Sequence, residues 1–169
     1  MVKTMEQFEF AQIYADHKER VWRLVSRYAA SQQDREDLFQ EVFLRIHKAL
    51  PKFRGDADLG TWIYRITVNT SLNYLKRQKR YAGLKDMLSK LRFIEEEEEK
   101  KDKEDKKLSK PLERLNPLQR MILILAEVEE KKLEEIAGIL NIPVGTVKSN
   151  LHRAREIVKK ELNKKDGRI

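Results

Sequence analysis

Apolar residues recur at three- and four-residue steps near the start of the chain. Phe10, Ile13, Tyr14, His17, Val21, Leu24, Val25 and Tyr28 predict a helix from Phe8 to Ala30. A polar turn, SQQD, follows, and Asp34 can cap a second helix reaching about Leu50. Leu38, Val42 and Ile46, with Ala49 or Leu50, form its inward stripe, and Pro51 ends it. The glycines and aspartates of "KFRGDADLG" predict a loop. A third helix is expected from about Thr61 to Arg80. Its apolar residues (Trp62, Ile63, Tyr64, Ile66, Val68, Leu72, Tyr74 and Leu75) do not keep to one side, and Trp62 and Ile66 are expected in the core.

The pattern changes after Gly83. The run "EEEEEKKDKEDKK", Glu95 to Lys107, has no apolar residue and can bury nothing. It reads as a solvated linker or an isolated charged helix. Apolar periodicity returns at Leu112. Asn116-Pro117-Leu118-Gln119 is a helix start, with Asn116 as cap, Pro117 in the first helical position and Gln119 completing a capping box. Met121, Ile122, Leu125 and Val128 line that helix. Leu133, Ile136, Ala137 and Leu140 line a short one after it, which Asn141-Ile142-Pro143 breaks. In the last helix Val147, Leu151, Ala154, Val158 and Leu162 fall in one stripe. The expected fold is all-α, with two small helical domains joined by a charged linker: 8–83, a linker at 84–110, and 111–165.

Charge narrows the class of partner. Lys and Arg number 36 against 28 Asp and Glu, a net +8, which favours polyanions: nucleic acid or an acidic membrane surface. With no cysteine, disulfides, thiolate metal sites and thiol redox chemistry are excluded. His17, His47 and His152 match no metal spacing. No nucleophile–base pair or phosphate loop is visible, so no enzyme activity and no cofactor are expected. No signal peptide or membrane-length apolar run is present, and a cytoplasmic location without membrane insertion is expected.

Two helices joined by a three- to four-residue turn, the second amphipathic, make a helix-turn-helix. Small Ala137 would let them cross closely. No acid occurs between Ile136 and Arg155. The outward face carries Lys148, Ser149, His152 and Arg153, with Asn150 and Arg155 at its borders. Lys148 and Arg153 can donate to guanine, Asn150 can pair with adenine, and Ser149 can serve bases or phosphates. The plainer alternative is an amphipathic surface helix with solvated lysines. A membrane-surface helix fits poorly, because the apolar stripe is needed inside so small a domain.

The stretch "EDLFQEVFLRIHKALPKFRGDADLGTWIYRITVNTSLNYLKRQKR", Glu36 to Arg80, followed by "LEEIAGILNIPVGTVKSNLHRAR", resembles the extracytoplasmic-function (ECF) sigma factors of the sigma-70 family. The blocks stand in that family's order, with an acidic segment between, over Phe8 to Leu162. The resemblance implies a promoter-specificity subunit of bacterial RNA polymerase. The partners it implies are core polymerase (the β′ clamp helices and the β flap), promoter DNA and a cognate anti-sigma factor.

Site residues follow from the same likeness. It implies that Asp37, Gln40, Glu41, Leu44 and Arg45 meet core polymerase; the residues alone leave a solvated helix face equally open. It implies that Arg54, Asp56, Tyr64, Asn69, Asn73, Lys76 and Arg77 bind the −10 element. The loop from Phe53 to Gly60 and Asn69 would form a pocket for a flipped base of the non-template strand. It implies that Thr146, Lys148, Ser149, Asn150, His152, Arg153 and Arg155 bind the −35 element. In similar proteins the linker threads toward the RNA exit path, where Glu95 to Glu99 can mimic RNA phosphates; a flexible tether explains them as well. The chain departs from the family in "EEKKLEE", where glycine or small residues are usual, and in Lys148, Asn150 and His152, where arginines or an aromatic are frequent. A stand-alone operator-binding regulator and an RNA-binding or scaffold protein are the rival classes.

Overall fold

The computed structural model describes residues 10–92 and 111–165, with side chains for 10–87 and 111–164. The run Glu95 to Lys107 lies outside the described residues, as does Phe8. Every regular element among the described residues is helical. The chain divides into two compact units, and the division falls between Tyr74 and Leu75.

In the first unit, α1 (Phe10–Ser26) packs on α2 (Gln32–Ala49). Ile13, Val21, Leu24, Val25 and Tyr28 of the first apolar stripe are buried, and so are Leu38, Val42 and Ile46 of the second. The start of α2 differs from expectation. Ser31 is the N-cap: its Oγ accepts the Asp34 N–H at 3.0 Å and donates to Asp34 Oδ2 at 2.7 Å. Asp34 sits inside the first turn, where its charge favours the helix dipole. Ser31→Ala should cost about 1 kcal/mol of stability, measured by denaturant unfolding of the full chain. Pro51 ends α2 as expected, within a 3₁₀ turn, Leu50–Lys52.

The third helix, α3 (Leu59–Arg92), is longer than its sequence pattern predicts at both ends. Asp58 starts it, its carboxylate accepting the Thr61 N–H at 3.1 Å. At the other end Gly83 does not stop it. One glycine costs only about 1 kcal/mol, and the lysines, leucines and methionine beyond it are good helix formers. A Cβ on Gly60 would lie 3.1 Å from the capping Asp58 Oδ2, which would have to shift by a few tenths of an ångström, whereas Arg20 Nη1 of α1 at 3.5 Å is in ordinary contact. The scattered apolar pattern of α3 has a simple cause. Thr67, Thr70 and Ser71 are buried with it, each hydroxyl donating to a carbonyl one turn back (Ile63, Ile66 and Thr67) at 2.7–2.9 Å.

In the second unit, α4 (Pro117–Glu127), α5 (Leu133–Leu140) and α6 (Val144–Lys165) pack on one another. The capping box forms as expected: Asn116 Oδ1 accepts from Gln119 N–H at 2.8 Å, and Gln119 Oε1 accepts from Asn116 N–H at 3.0 Å. Met121, Ile122, Leu125, Ile136, Val147 and Ala154 are sealed from solvent. Four residues assigned to inward stripes turn out otherwise. Val128 lies just past the end of α4 and is exposed, Leu133 and Val158 are half-buried, and Leu162 is exposed. Among the described residues no helix is long and apolar enough to cross a membrane.

Candidate nucleic-acid interface

The abrupt start of α6 is built by three consecutive residues. Asn141 closes α5 with φ +53°, a left-handed conformation that asparagine tolerates. The Ile142 N–H donates to the Ala137 carbonyl at 3.1 Å. Pro143 gives up no donor, and its carbonyl accepts the N–H groups of Thr146 and Val147 at 2.9 and 3.2 Å. The helix therefore begins at Val144 with no slack, and Val147, Leu151 and Ala154 fix its inner face. The turn before α5 has a related device. Glu130 adopts φ +52°, a left-handed conformation that favours glycine. The Glu135 carboxylate then accepts the Lys132 N–H at 2.8 Å to start α5.

Lys148, Ser149, His152 and Arg153 are exposed on the outer face of α6, as the pattern predicts. Three of their expected companions stand differently. Thr146 is half-buried, and its carbonyl accepts from Ser149 Oγ at 3.1 Å and Asn150 Nδ2 at 2.8 Å. Asn150 is half-buried, its amide turned back onto its own helix. Arg155 is exposed but held by Glu127 of α4, whose Oε1 accepts from Nη2 at 2.6 Å and Nε at 2.8 Å. Sequence reading missed Glu127, because its partner is 28 residues away.

In the first unit the loop after α2 presents Arg54 and Asp56 to solvent, with Gly55 at φ +74° making the turn. Phe53 folds inward against Trp62, ring centroids 4.9 Å apart. Trp62 and Ile66, expected in the core, are only half-buried. With Arg45, Lys48, Arg65 and Asn69 they line an open groove of about 430 Å³ between α2 and α3. Asn69 is exposed there, its Nδ2 donating to the Arg65 carbonyl at 2.9 Å, which supplies the polar partner a mid-helix asparagine needs. Tyr64 is the clearest departure from expectation. It is buried, with the Arg20 guanidinium 5.5 Å above its ring, so it faces the interior and not the groove. Asn73 is exposed on α3. Lys76 and Arg77, on the part of α3 that belongs to the second unit, are exposed as well.

The outer surface of α2 carries the other expected set. Leu44 is 60% exposed. Glu41 and Arg45 pair at 2.8 Å, and Asp37 accepts from Gln33 at 3.1 Å. Leu44 and Gln40 border an aromatic groove of about 800 Å³ between α1 and α2, walled by Phe10, Tyr14, Trp22, Phe39 and Phe43. The rings of Phe39 touch those of Tyr14, Trp22 and Phe43 at centroid distances of 5.0–6.1 Å. Phe39 is thus half inside this seam, and the α1 aromatics were not foreseen as part of it.

Residues 13–81 match the model of Sigma-70 region 2, and residues 106–158 match that of Sigma-70 region 4. The chain is 35% identical to the ECF RNA polymerase sigma-E factor of Escherichia coli K12, over 93% of this chain and 88% of that protein. It belongs to the ECF sigma factors. The ECF sigma factor SigW of Bacillus subtilis is 28% identical, over 95% of this chain and 92% of that protein. Two solved structures share the fold at TM-score 0.62. One is CnrH in complex with the cytosolic domain of CnrY, at 22% identity over 91% of this chain and 87% of that one. The other is the sigma factor RpoE of Bartonella quintana in complex with the anti-sigma factor NepR, at 23% identity over 91% and 96%. This sigma factor therefore serves transcription, and its relatives are not enzymes. Region 2 covers α1, α2 and the groove beside Asn69; region 4 covers the helix-turn-helix.

Proposed function

We propose that this sigma factor binds core RNA polymerase and directs initiation at promoters it recognises through both regions. Residues 8–83 would serve core binding and the −10 element, 84–110 the linker, and 111–165 the −35 element. Supporting the last assignment is the exposed, acid-free face of Lys148, Ser149, His152 and Arg153 near the start of the second helix of a helix-turn-helix, the part that meets base edges in a major groove. That face is the observation that carries the reading. Thr146 and Asn150 would assist from the helix N-terminus, and Arg155 from its border.

In region 2, Leu44 with Asp37, Gln40, Glu41 and Arg45 would meet the β′ clamp helices, and the β flap would be a further contact. Arg54, Asp56, Asn69, Asn73, Lys76 and Arg77 would hold the opened −10 strand. Flipping a base costs a few kcal/mol, so the loop from Phe53 to Gly60 and Asn69 must repay it by stacking and hydrogen bonds. Capture of a strand needs no ATP. A cognate anti-sigma factor is part of the proposal, as are cytoplasmic residence and the absence of a cofactor. The solved neighbours were captured with such partners or with a cytosolic domain.

The test is transcription from genomic DNA by purified core polymerase with and without the full chain, the transcripts being sequenced. New starts sharing two upstream elements are expected only with the chain. Footprinting of an operator without polymerase, and no new starts, would make it a regulator instead. Binding to structured RNA without promoter preference would place it in a third class.

A further inference from the structure

We propose that Glu127, in α4 and outside the helix-turn-helix, is a positioning residue that sets the Arg155 guanidinium for a DNA phosphate. The inference rests on the −35 reading above. Both side chains are well exposed, 47% for Glu127 and 59% for Arg155. A pair so open to water contributes little to stability, so holding α6 on α4 does not explain it. That work is done by Met121, Leu125, Val147, Leu151 and Ala154.

The geometry suits a different task. Nε and Nη2 both donate to the single oxygen Oε1 of Glu127. This fixes the plane of the guanidinium and leaves its Nη1 edge directed away from the carboxylate. Arginine binds phosphate through such a planar edge, and a fixed plane loses less entropy on contact. Along α6, Arg155 follows Lys148 by two helical turns on the same flank, beside the face of Ser149, His152 and Arg153. A flank in that place meets the sugar–phosphate wall of a groove whose floor the outer face reads. A carboxylate near DNA would repel it unless neutralised. Here the arginine neutralises it, and the carboxylate in return orients the arginine. Arg45 with Glu41 and Lys164 with Glu161 join residues one turn apart on a single helix, whereas this pair reaches across two.

A double-mutant cycle on the full chain with core polymerase tests this, using a duplex that the wild-type holoenzyme enriches from a random pool. Arg155→Ala should weaken binding roughly tenfold. Its slope of log affinity against log salt should flatten by about one phosphate. Glu127→Ala should lose nearly as much, and the double variant should bind no worse than Arg155→Ala alone. Glu127→Gln keeps an acceptor oxygen and should stay within about threefold of wild type. Additive losses would overturn the inference. So would tighter binding by Glu127→Ala, which would mean that the carboxylate merely withholds the arginine, or a Glu127→Gln as weak as the alanine variant. A wild-type holoenzyme that enriches no duplex would instead overturn the −35 reading beneath it.

Discussion

Ile136→Ala is expected to remove −35-dependent promoter binding while leaving the affinity for core polymerase intact. Ile136 is fully buried on α5, a helix of 8 residues. A helix that short has no stability of its own and is held only by the face it buries. Truncating a buried isoleucine to alanine costs about 2–5 kcal/mol. A helical unit this small has roughly that much stability in hand. The α5 platform should therefore loosen, and with it the angle at which α6 presents Lys148 and Arg153. Two measurements check this. Guanidinium unfolding of the full chain should show the loss in the second unit. Holoenzyme binding should collapse on a duplex promoter and persist on a forked template that lacks the −35 element. Equal loss on both templates, or a cost below about 1 kcal/mol, would refute the account.

Leu44→Gln should leave the fold unchanged and weaken the complex with core polymerase by about 2 kcal/mol, roughly 30-fold. Glutamine forms helix nearly as well as leucine, and the position is 60% exposed, so stability should stay within about 0.5 kcal/mol. What changes is the apolar contact. Leu44 stands at the rim of the aromatic groove between α1 and α2, beside the Glu41–Arg45 pair, an arrangement typical of an interface anchor with a polar rim. Fluorescence anisotropy of labelled chain titrated with core polymerase would measure the change. Unaltered affinity would move the docking surface elsewhere on region 2.

Much of this protein was legible in its residues alone. The order and type of the helices, the capping box at Asn116, the break at Asn141 to Pro143 and the buried stripe of α6 are local matters. Each depends on residues within a turn or two, where side-chain spacing, caps and missing donors act directly on the backbone. The exposed row of Lys148, Ser149, His152 and Arg153 followed for the same reason, as the far side of a stripe already known. Element ends were less faithful, because a single Gly83 weighs too little to stop a helix and Ser31 competes with Asp34 for the cap.

What only the tertiary structure decided is which exposed or apolar side chains have partners distant in sequence. Tyr64 is buried, with Arg20 of α1 over its ring. Trp22 and Tyr14 of α1 join Phe39 of α2 in one aromatic seam, and Glu127 takes hold of Arg155. Trp62 and Ile66, apolar enough for a core, instead line a groove with Arg45 and Lys48 of α2. Helical periodicity assigns a residue to a side of its own helix. Whether that side meets protein, solvent or a charge is set by the packing of another helix, and no local pattern carries that information.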